Sequence, residues 1–236
     1  MSEGSQQERL TKRIRNWIFA GVALNVVLVA LGIPMSPASV SGKAGLLSLL
    51  GPAISLSLYL AAAQRLNRRT ACSIGFGLGA GLVYASEILL EYAILPDTTL
   101  NIRLGWLEYG SVLALYFLAA FWTSAESGKV KAGIWAAFWS SILASLIWLA
   151  VLLAVTEVFW GTGRQHQVFL AEGDYEDFAR SGMTDFNAFT MQDLRGASFF
   201  HLLLGPVTAL IVGAAGGLGG KYIHRWRSGQ KAEDLL

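Results

Sequence analysis

Two glutamates stand one helical turn apart in the stretch GLVYASEILLEYAILP, residues 81–96, which is otherwise mostly apolar. Burying a carboxylate at the centre of a bilayer costs at least ~2.5–3.5 kcal/mol, so acidic side chains in apolar segments are typical of ion pathways and proton relays. Two carboxylates on one helix face also repel each other. We therefore expect Glu87 and Glu91 to belong to an intramembrane ion or proton site in which at least one of them is neutral.

The helical period places both glutamates on a small, polar face of this segment. At 100° per residue, six side chains fall within about 40° of one direction. They are Ser73, Gly77, Ala80, Tyr84, Glu87 and Glu91. This face is predicted to contact protein rather than lipid, because the other residues are mainly Leu, Ile, Val and Phe. At about 1.5 Å per residue from Leu95, Glu91 lies about 6 Å and Glu87 about 12 Å below the outer end of the helix. Glu91 then reaches water, whereas Glu87 is either a neutral acid that joins helices or a titrating site.

Three further polar residues are predicted to lie near the two glutamates. Tyr84 precedes Glu87 by three residues on the same face, while His201 and Glu108 stand near the outer ends of other apolar segments. His201 either pairs with Glu91 or Glu108, or stands at the interface with water on its polar edge. Both interpretations stay open at this point.

The sequence lacks the motifs of metal, cofactor and covalent catalysis. No spacing of His, Cys and carboxylate residues is typical of a metal site, and no paired membrane histidines are available to ligate haem. The G-x-S-x-G, H-E-x-x-H and phosphate-binding-loop patterns do not occur. We therefore expect no metal, no cofactor and no enzymatic activity.

Composition and hydropathy place the candidate residues in membrane-spanning helices. Of the 236 residues, 54% are hydrophobic and 14% are charged, whereas soluble domains have about 25% charged residues. Six apolar runs reach the ~20 residues that a crossing helix needs. They cover approximately residues 17–33, 44–63, 71–95, 106–123, 132–159 and 198–220. Because backbone polar groups must be paired internally in lipid, we predict an all-α integral membrane protein, a bundle of six transmembrane helices.

The lysines and arginines predict the orientation of this bundle. Thirteen of the 18 lie in the terminal segments and in alternate connections, and positive charge favours the cytoplasmic side. Both termini are therefore predicted to be cytoplasmic. The absence of an Asn-x-Ser/Thr sequence agrees with a bacterial inner (plasma) membrane. The alternative for the first run is a cleaved signal peptide, but it is long for one, and the other five helices would keep their orientation.

The chain divides into a basic arm, a transmembrane domain and a basic tail. The arm covers residues 1–16, the transmembrane domain 17–220 and the tail 221–236, with an outer loop at 160–197. This loop is acidic but rich in aromatic residues, which a disordered linker would lack. Residues 174–180 and 185–195 are predicted to form short amphipathic helices that lie over the outer mouth of the bundle or along the interface.

Two groups of glycines predict close helix packing. They are Gly75, Gly77, Gly79 and Gly81 in the third run, and Gly213, Gly216, Gly217 and Gly220 in the sixth. Small residues four apart allow helix backbones to approach closely. Because both groups lie in the cytoplasmic half, we expect the third and sixth helices to be neighbours there.

The second and sixth runs share the sequence LLGP, at residues 49–52 and 203–206. Proline removes a donor and frees the carbonyl four residues earlier, so helix kinks are predicted at Gly51, Pro52, Gly205 and Pro206. Interrupted helices at matching depths often mark binding sites in transporters. The two kinks and Glu87 are therefore predicted to meet at one level.

Three hypotheses for the function follow. The simplest is a non-enzymatic membrane protein, either a stand-alone bundle or a subunit of a membrane complex. The second is a small proton- or cation-linked transporter or channel that uses Glu87 and Glu91, and the third is an intramembrane enzyme. The bilayer and anionic lipid headgroups at the cytoplasmic face are expected partners, together with a membrane-protein partner or a second copy, and nucleic acid is not. The first two hypotheses differ in whether Glu87 faces a polar cavity or is closed over by its neighbours.

Overall fold

All regular structure in the described residues is helical. The computed structural model describes residues 3–66, 73–93 and 98–233. The helices are α1 (Glu3–Met35), α2 (Gly42–Gln64), α3 (Ser73–Ala93), α4 (Thr98–Ser127), α5 (Val130–Val158), α6 (Gly163–Glu172), α7 (Asp174–Ser181) and α8 (Phe186–Glu233), with a short 3-10 turn at Pro37–Val40. Six of them, α1 to α5 and α8, are long and apolar enough to cross a membrane, which confirms the predicted number of spans. The predicted limits of the third span, Ala71 and Leu95, lie outside the described residues.

The last helix begins earlier than predicted. It starts at Phe186 rather than at residue 198, because the Asp185 carboxylate accepts a hydrogen bond of 3.0 Å from the Ala188 amide and caps the first turn. The predicted short helix at 185–195 is therefore the beginning of α8. The outer loop shortens to residues 159–185, in which α7 matches the predicted helix at 174–180 and α6 was not predicted. We call residues 159–185 the cap.

The start of α1 and the end of α8 lie on one face of the bundle. We call this the terminal face, and the opposite face, which carries α6 and α7, the cap face. Helices α2, α4 and α8 run from the cap face to the terminal face, whereas α1, α3 and α5 run in the other direction.

Helix α5 is the centre of the bundle. In its membrane-spanning window 67% of the residues are buried, whereas the share in the other five helices is 33% or less. Alanine, serine and glycine recur along it, and such small residues let neighbouring helices approach closely. The first helix is joined to it by a polar contact, because the amide nitrogen of the fully buried Asn25 donates to the Leu146 carbonyl at 3.0 Å.

The glycines of α3 pack against α5 and α4 rather than against α8. A Cβ built on Gly77 would lie 2.9 Å from the Ser140 carbonyl oxygen, and one on Gly81 would lie 2.6 Å from Ile147. Gly79 faces Leu115 of α4 more loosely, and Gly75 has no neighbouring atom within 4 Å among the described residues.

The glycines of α8 face α4 and α5 in the same way. A Cβ on Gly216 would lie 2.4 Å from the Phe117 carbonyl oxygen, and one on Gly220 would lie 2.1 Å from that of Phe121. Gly213 and Gly217 face residues of α5. The two glycine groups, which were expected to make the third and sixth helices near neighbours, therefore do not pack on each other. Among the described residues, α4 and α5 supply the principal surfaces on which both glycine groups pack.

The cap is held to the bundle by aromatic side chains and by glycine turns. Gly173 and Gly182 have φ values of 85° and 72°, which favour glycine, and they end α6 and α7. Tyr175 stacks on Phe186, the first residue of α8, with ring centroids 4.4 Å apart, and Phe169 and Phe178 contact the same ring. The aromatic residues of the predicted loop thus form one cluster over the start of α8.

Candidate functional site

A cavity of about 150 Å³ lies where α3, α4, α5 and α8 meet. Its walls are formed by Tyr84, Glu87, Tyr109, Leu113, Tyr116, Ser145, Trp148, His201, Leu204, Gly205 and Thr208. The cavity therefore brings together three of the five predicted site residues, Tyr84, Glu87 and His201, with the predicted kink position Gly205.

Glu87 is the acidic side chain in this wall. The period of α3 directs it towards α4, where a Cβ built on Gly105 would lie 3.3 Å from its Oε1 atom. The absence of a side chain at Gly105 thus leaves room for the carboxyl group. No ion pair joins Glu87 to a lysine, arginine or histidine among the described residues. Its charge, when present, is left for a ligand or a proton to balance.

Hydroxyl groups from three other helices surround the cavity. They belong to Tyr109 and Tyr116 of α4, Ser145 of α5 and Thr208 of α8. Local sequence patterns do not reveal these residues, because other hydroxyl side chains stand in the same helices and no motif marks these four. Only the packing of four helices brings them to one place.

The hydroxyl of Tyr116 is the least satisfied polar group of the wall. Tyr116 is 1% exposed, and its hydroxyl lies near that of Tyr84. It nevertheless makes no hydrogen bond of normal geometry with any described residue. Buried polar groups are nearly always paired, and the Tyr84 hydroxyl is a group within hydrogen-bond reach that can pair with it.

His201 closes the cavity on the side of α8. Its ring stacks on Trp148 of α5 at a centroid distance of 4.3 Å and an angle of 27°. No hydrogen bond or ion pair links it to Glu91 or Glu108 within the described ranges. Because His201, Leu204 and Tyr109 are exposed, the cavity opens sideways between α4 and α8, towards the surface that lipid would cover.

Only one of the two Gly-Pro pairs reaches the site. A Cβ on Gly205 would lie 2.9 Å from the Ser145 hydroxyl, so glycine keeps α8 close to α5 at the cavity. Gly51 instead packs against Phe199 of α8, and neither it nor Pro52 lines the cavity. Of the two kinks predicted to lie at the level of Glu87, only that of α8 therefore lines the same cavity as Glu87. Pro52 and Pro206 each lie inside a continuous helix.

Glu108 and Glu91 continue the acidic character of the site towards the cap face. Glu108 is 9% exposed, and its Oε2 atom has no hydrogen-bond partner among the described residues. It lies close enough to Glu87 and Glu91 for electrostatic interaction but does not line the cavity. The carboxyl of Glu91 is within hydrogen-bond reach of Glu172, at the end of α6. An acidic row thus leads from Glu87 to the cap.

Two carboxyl groups at the cap end of this row have pKa values raised towards or above neutral pH. Glu172 is an exposed residue, but protein atoms crowd its carboxyl group, and this burial together with the charge of Glu91 raises its pKa to about 9. Burial and the charges of Asp193, Asp177 and Glu91 raise the pKa of Asp174 to about 6.

The remaining intramembrane acid, Glu157, lies elsewhere. It faces a separate small pocket of about 10 Å³ together with Gly32, Met191 and Arg195. Glu157 and Glu108 therefore belong to different parts of the bundle.

The site has the residues for proton or cation binding, and a catalytic pair is not formed. Ser145 and His201 both line the cavity, but the Ser145 hydroxyl lies within hydrogen-bond reach of Tyr59, and the His201 ring stacks on Trp148. A serine nucleophile needs a base within hydrogen-bond reach. No group of three or more His, Cys, Asp and Glu residues suitable for a metal occurs in the part of the chain that the structure describes.

No protein-family model, curated protein or solved structure matches this chain.

Proposed function

We propose that this multi-pass membrane protein is a small transporter linked to protons or cations, with Glu87 as the binding group. The observation that carries the proposal is the position of Glu87 in a hydroxyl-lined cavity, without an ion-pair partner among the described residues. Polar sites near the middle of a helical bundle are typical of transporters.

The size of the cavity restricts what Glu87 binds. One water molecule occupies about 30 Å³ of liquid, and sites for drug-sized ligands have about 300–1,000 Å³. A cavity of about 150 Å³ therefore suits a proton carried with a few water molecules, or a small cation. The tyrosine, serine and threonine hydroxyls supply oxygen ligands that replace part of the hydration shell of a cation.

The acidic row supports access from the cap face. Glu108 and Glu91 stand between Glu87 and Glu172, and each can accept a proton or attract a cation. The opposite exit is closed by buried small residues of α3, α4, α5 and α8, which pack directly beside Tyr116. These are Ala80, Ala120, Ala137, Ala144 and Ala209. Transport requires these small residues to separate while the path to the cap closes.

The proposal keeps the protein among the non-enzymatic membrane proteins. A transporter bundle is compatible with a membrane complex in which a partner binds the cap. An enzyme is disfavoured because Ser145 lacks a hydrogen-bonded base among the described residues.

The test is ion flux in vesicles that contain the purified protein. A pH-sensitive dye is trapped inside, and a sodium or potassium gradient or a membrane potential is imposed. Wild-type vesicles are expected to change their internal pH faster than empty vesicles, and Glu87→Gln is expected to reduce the rate at least tenfold. Glu157→Gln is the matched control, because it removes another intramembrane carboxyl that does not line the cavity. A wild-type rate equal to that of empty vesicles, or an undiminished rate for Glu87→Gln, would contradict the proposal.

A further inference from the structure

A second and larger cavity lies between α2 and α5 at the terminal face. Its volume is about 910 Å³, some six times that of the Glu87 cavity. It is lined by Leu58, Ala61, Ala62, Arg65, Lys129, Lys131, Ala132, Trp135, Phe138 and Trp139. We call it the basic groove. Helices α2 and α5 are not in extensive contact with each other, and both present small alanines here.

The lining residues are arranged by polarity along the groove. Arg65 follows the last residue of α2, and Lys129 and Lys131 stand at the start of α5, so all three cations lie at the same end. The apolar part extends from there into the bundle. Leu58 precedes Arg65 by seven residues, which is about 10 Å of helix. Trp135, one turn beyond Lys131, is 42% exposed, at the depth where aromatic residues meet the membrane interface.

The three cations are left without an acidic partner. None of the residues that line the groove is acidic, and none of the three forms an ion pair within the described part of the chain. A ligand that fits must therefore carry negative charge at one end and apolar surface along the remainder. A free phosphate lacks the second feature, and a neutral lipid lacks the first.

We propose that the basic groove holds one anionic phospholipid. Its phosphate contacts Arg65, Lys129 and Lys131, and an acyl chain lies along Leu58, Phe138 and Trp139. The proposal is independent of the Glu87 cavity, which is formed by α3, α4, α5 and α8 and has a different set of lining residues.

The test uses native mass spectrometry of the whole protein after equilibration in vesicles of equal phosphatidylglycerol and phosphatidylcholine. Wild-type protein is expected to retain one phosphatidylglycerol per chain in preference to phosphatidylcholine. The variant Arg65→Gln/Lys129→Gln/Lys131→Gln is expected to lose this preference by about a hundredfold, since each of the three basic residues near a membrane surface contributes about fivefold.

Two comparison variants separate a bound lipid from general surface attraction. Lys221→Gln/Arg225→Gln/Arg227→Gln removes three positive charges from the same face at residues outside the groove, and should retain the lipid. Ala61→Phe keeps all the charges but fills the groove, and should expel the lipid. The proposal is overturned if both triple variants lose phosphatidylglycerol equally, if Ala61→Phe retains it, or if a second copy covers the groove in a lipid-free dimer.

Discussion

The hydroxyl of Tyr59 donates a hydrogen bond of 2.5 Å to the main-chain carbonyl of Leu202. This carbonyl is the one that Pro206 leaves without a donor, because proline has no amide hydrogen to offer four residues back. A side chain of α2 thus replaces a missing bond of α8 in the interior of the bundle. The replacement couples the helix interruption beside the cavity to a helix that does not line it.

Tyr59→Phe is expected to destabilise the protein by about 1–3 kcal/mol, because it leaves a buried carbonyl unpaired while preserving the ring. The free energy of unfolding can be measured by titration with a denaturing detergent in mixed micelles. Pro206→Ala restores the helical amide, so the same Tyr59→Phe change should cost less in that background. Equal costs in both backgrounds would show that the Tyr59 hydroxyl does not act on the freed carbonyl.

Glu87→Gln is expected to fold nearly as well as wild type, with the free energy of unfolding changed by no more than about 1 kcal/mol. A protonated glutamate and a glutamine have almost the same shape, and no ion pair holds Glu87 among the described residues. Thermal unfolding and size-exclusion chromatography in detergent provide the measurement. A loss of several kcal/mol would mean that the carboxylate is ionised and paired in the folded protein.

Tyr116→Phe is expected to leave stability unchanged or slightly raised while it slows ion flux. The substitution preserves the ring and removes no hydrogen bond of normal geometry to a described residue, so the free energy of unfolding should change little. The same hydroxyl is a ligand in the proposed transport site, and its loss should lower the rate in vesicles. A variant that is clearly destabilised, with unchanged flux, would give Tyr116 a structural role alone.

The cap is expected to loosen as pH rises. The pKa of Glu172 is raised from 4.5 to about 9, so the folded protein binds this proton more tightly than the unfolded chain does. The stabilisation is fully present below about pH 4.5 and is lost progressively as pH approaches 9. Asp174 acts in the same direction between 3.8 and about 6.

Hydrogen exchange of α6 and α7, corrected for the intrinsic chemical rate, measures this loosening. Exchange should accelerate between pH 6 and pH 9 in wild type, and Glu172→Gln should flatten the dependence. Glu176→Gln, an exposed acid on α7, serves as the matched control and should behave like wild type. A pH dependence that survives Glu172→Gln would assign the effect to another group.

Gly220→Ala is expected to cost at least about 1–3 kcal/mol, whereas Gly75→Ala should be neutral or stabilising. The added methyl at Gly220 would lie 2.1 Å from the Phe121 carbonyl oxygen, so the two helices must separate. At Gly75 no described atom lies within 4 Å, and alanine is favoured over glycine in a helix by about 1 kcal/mol. Thermal unfolding of the two variants side by side measures this difference. Equal changes of stability in both variants would contradict the prediction.

Hydropathy and charge predicted the six spans. Each apolar run is predicted to be a helix because every backbone polar group must be paired internally in lipid. The face of α3 that holds Tyr84 and Glu87 also followed from the helical period. The central position of α5 did not, since lipid tails and a protein interior are equally apolar and leave no mark on hydropathy. Hydropathy likewise identifies the residues that lipid surrounds, but it does not identify the first turn of a helix. The start of α8 at Phe186, where the Asp185 carboxylate accepts from the Ala188 amide, was therefore not predicted.

The partners of Glu87 were beyond sequence reasoning for a different reason. Tyr116, Ser145 and Thr208 come from three helices, and each is unremarkable in its own segment. The two Gly-Pro pairs share the same four letters, yet Gly51 meets Phe199 and Gly205 meets Ser145. Which neighbour a kinked helix meets is decided by the packing of the whole bundle.

The contact of Gly216 and Gly220 with the backbone of α4 is a point about which α8 can pivot. From Phe186 to Gly216 the helix extends about 45 Å, and from Gly220 to Glu233 about 20 Å, at about 1.5 Å per residue. The helix therefore extends about twice as far on the cap side of this contact as on the terminal side. Its longer part begins among the aromatic rings of the cap. A small sideways displacement of Glu233 about this point corresponds to roughly twice that displacement at Phe186. His201, on the longer part of the helix, moves in the same direction as Phe186.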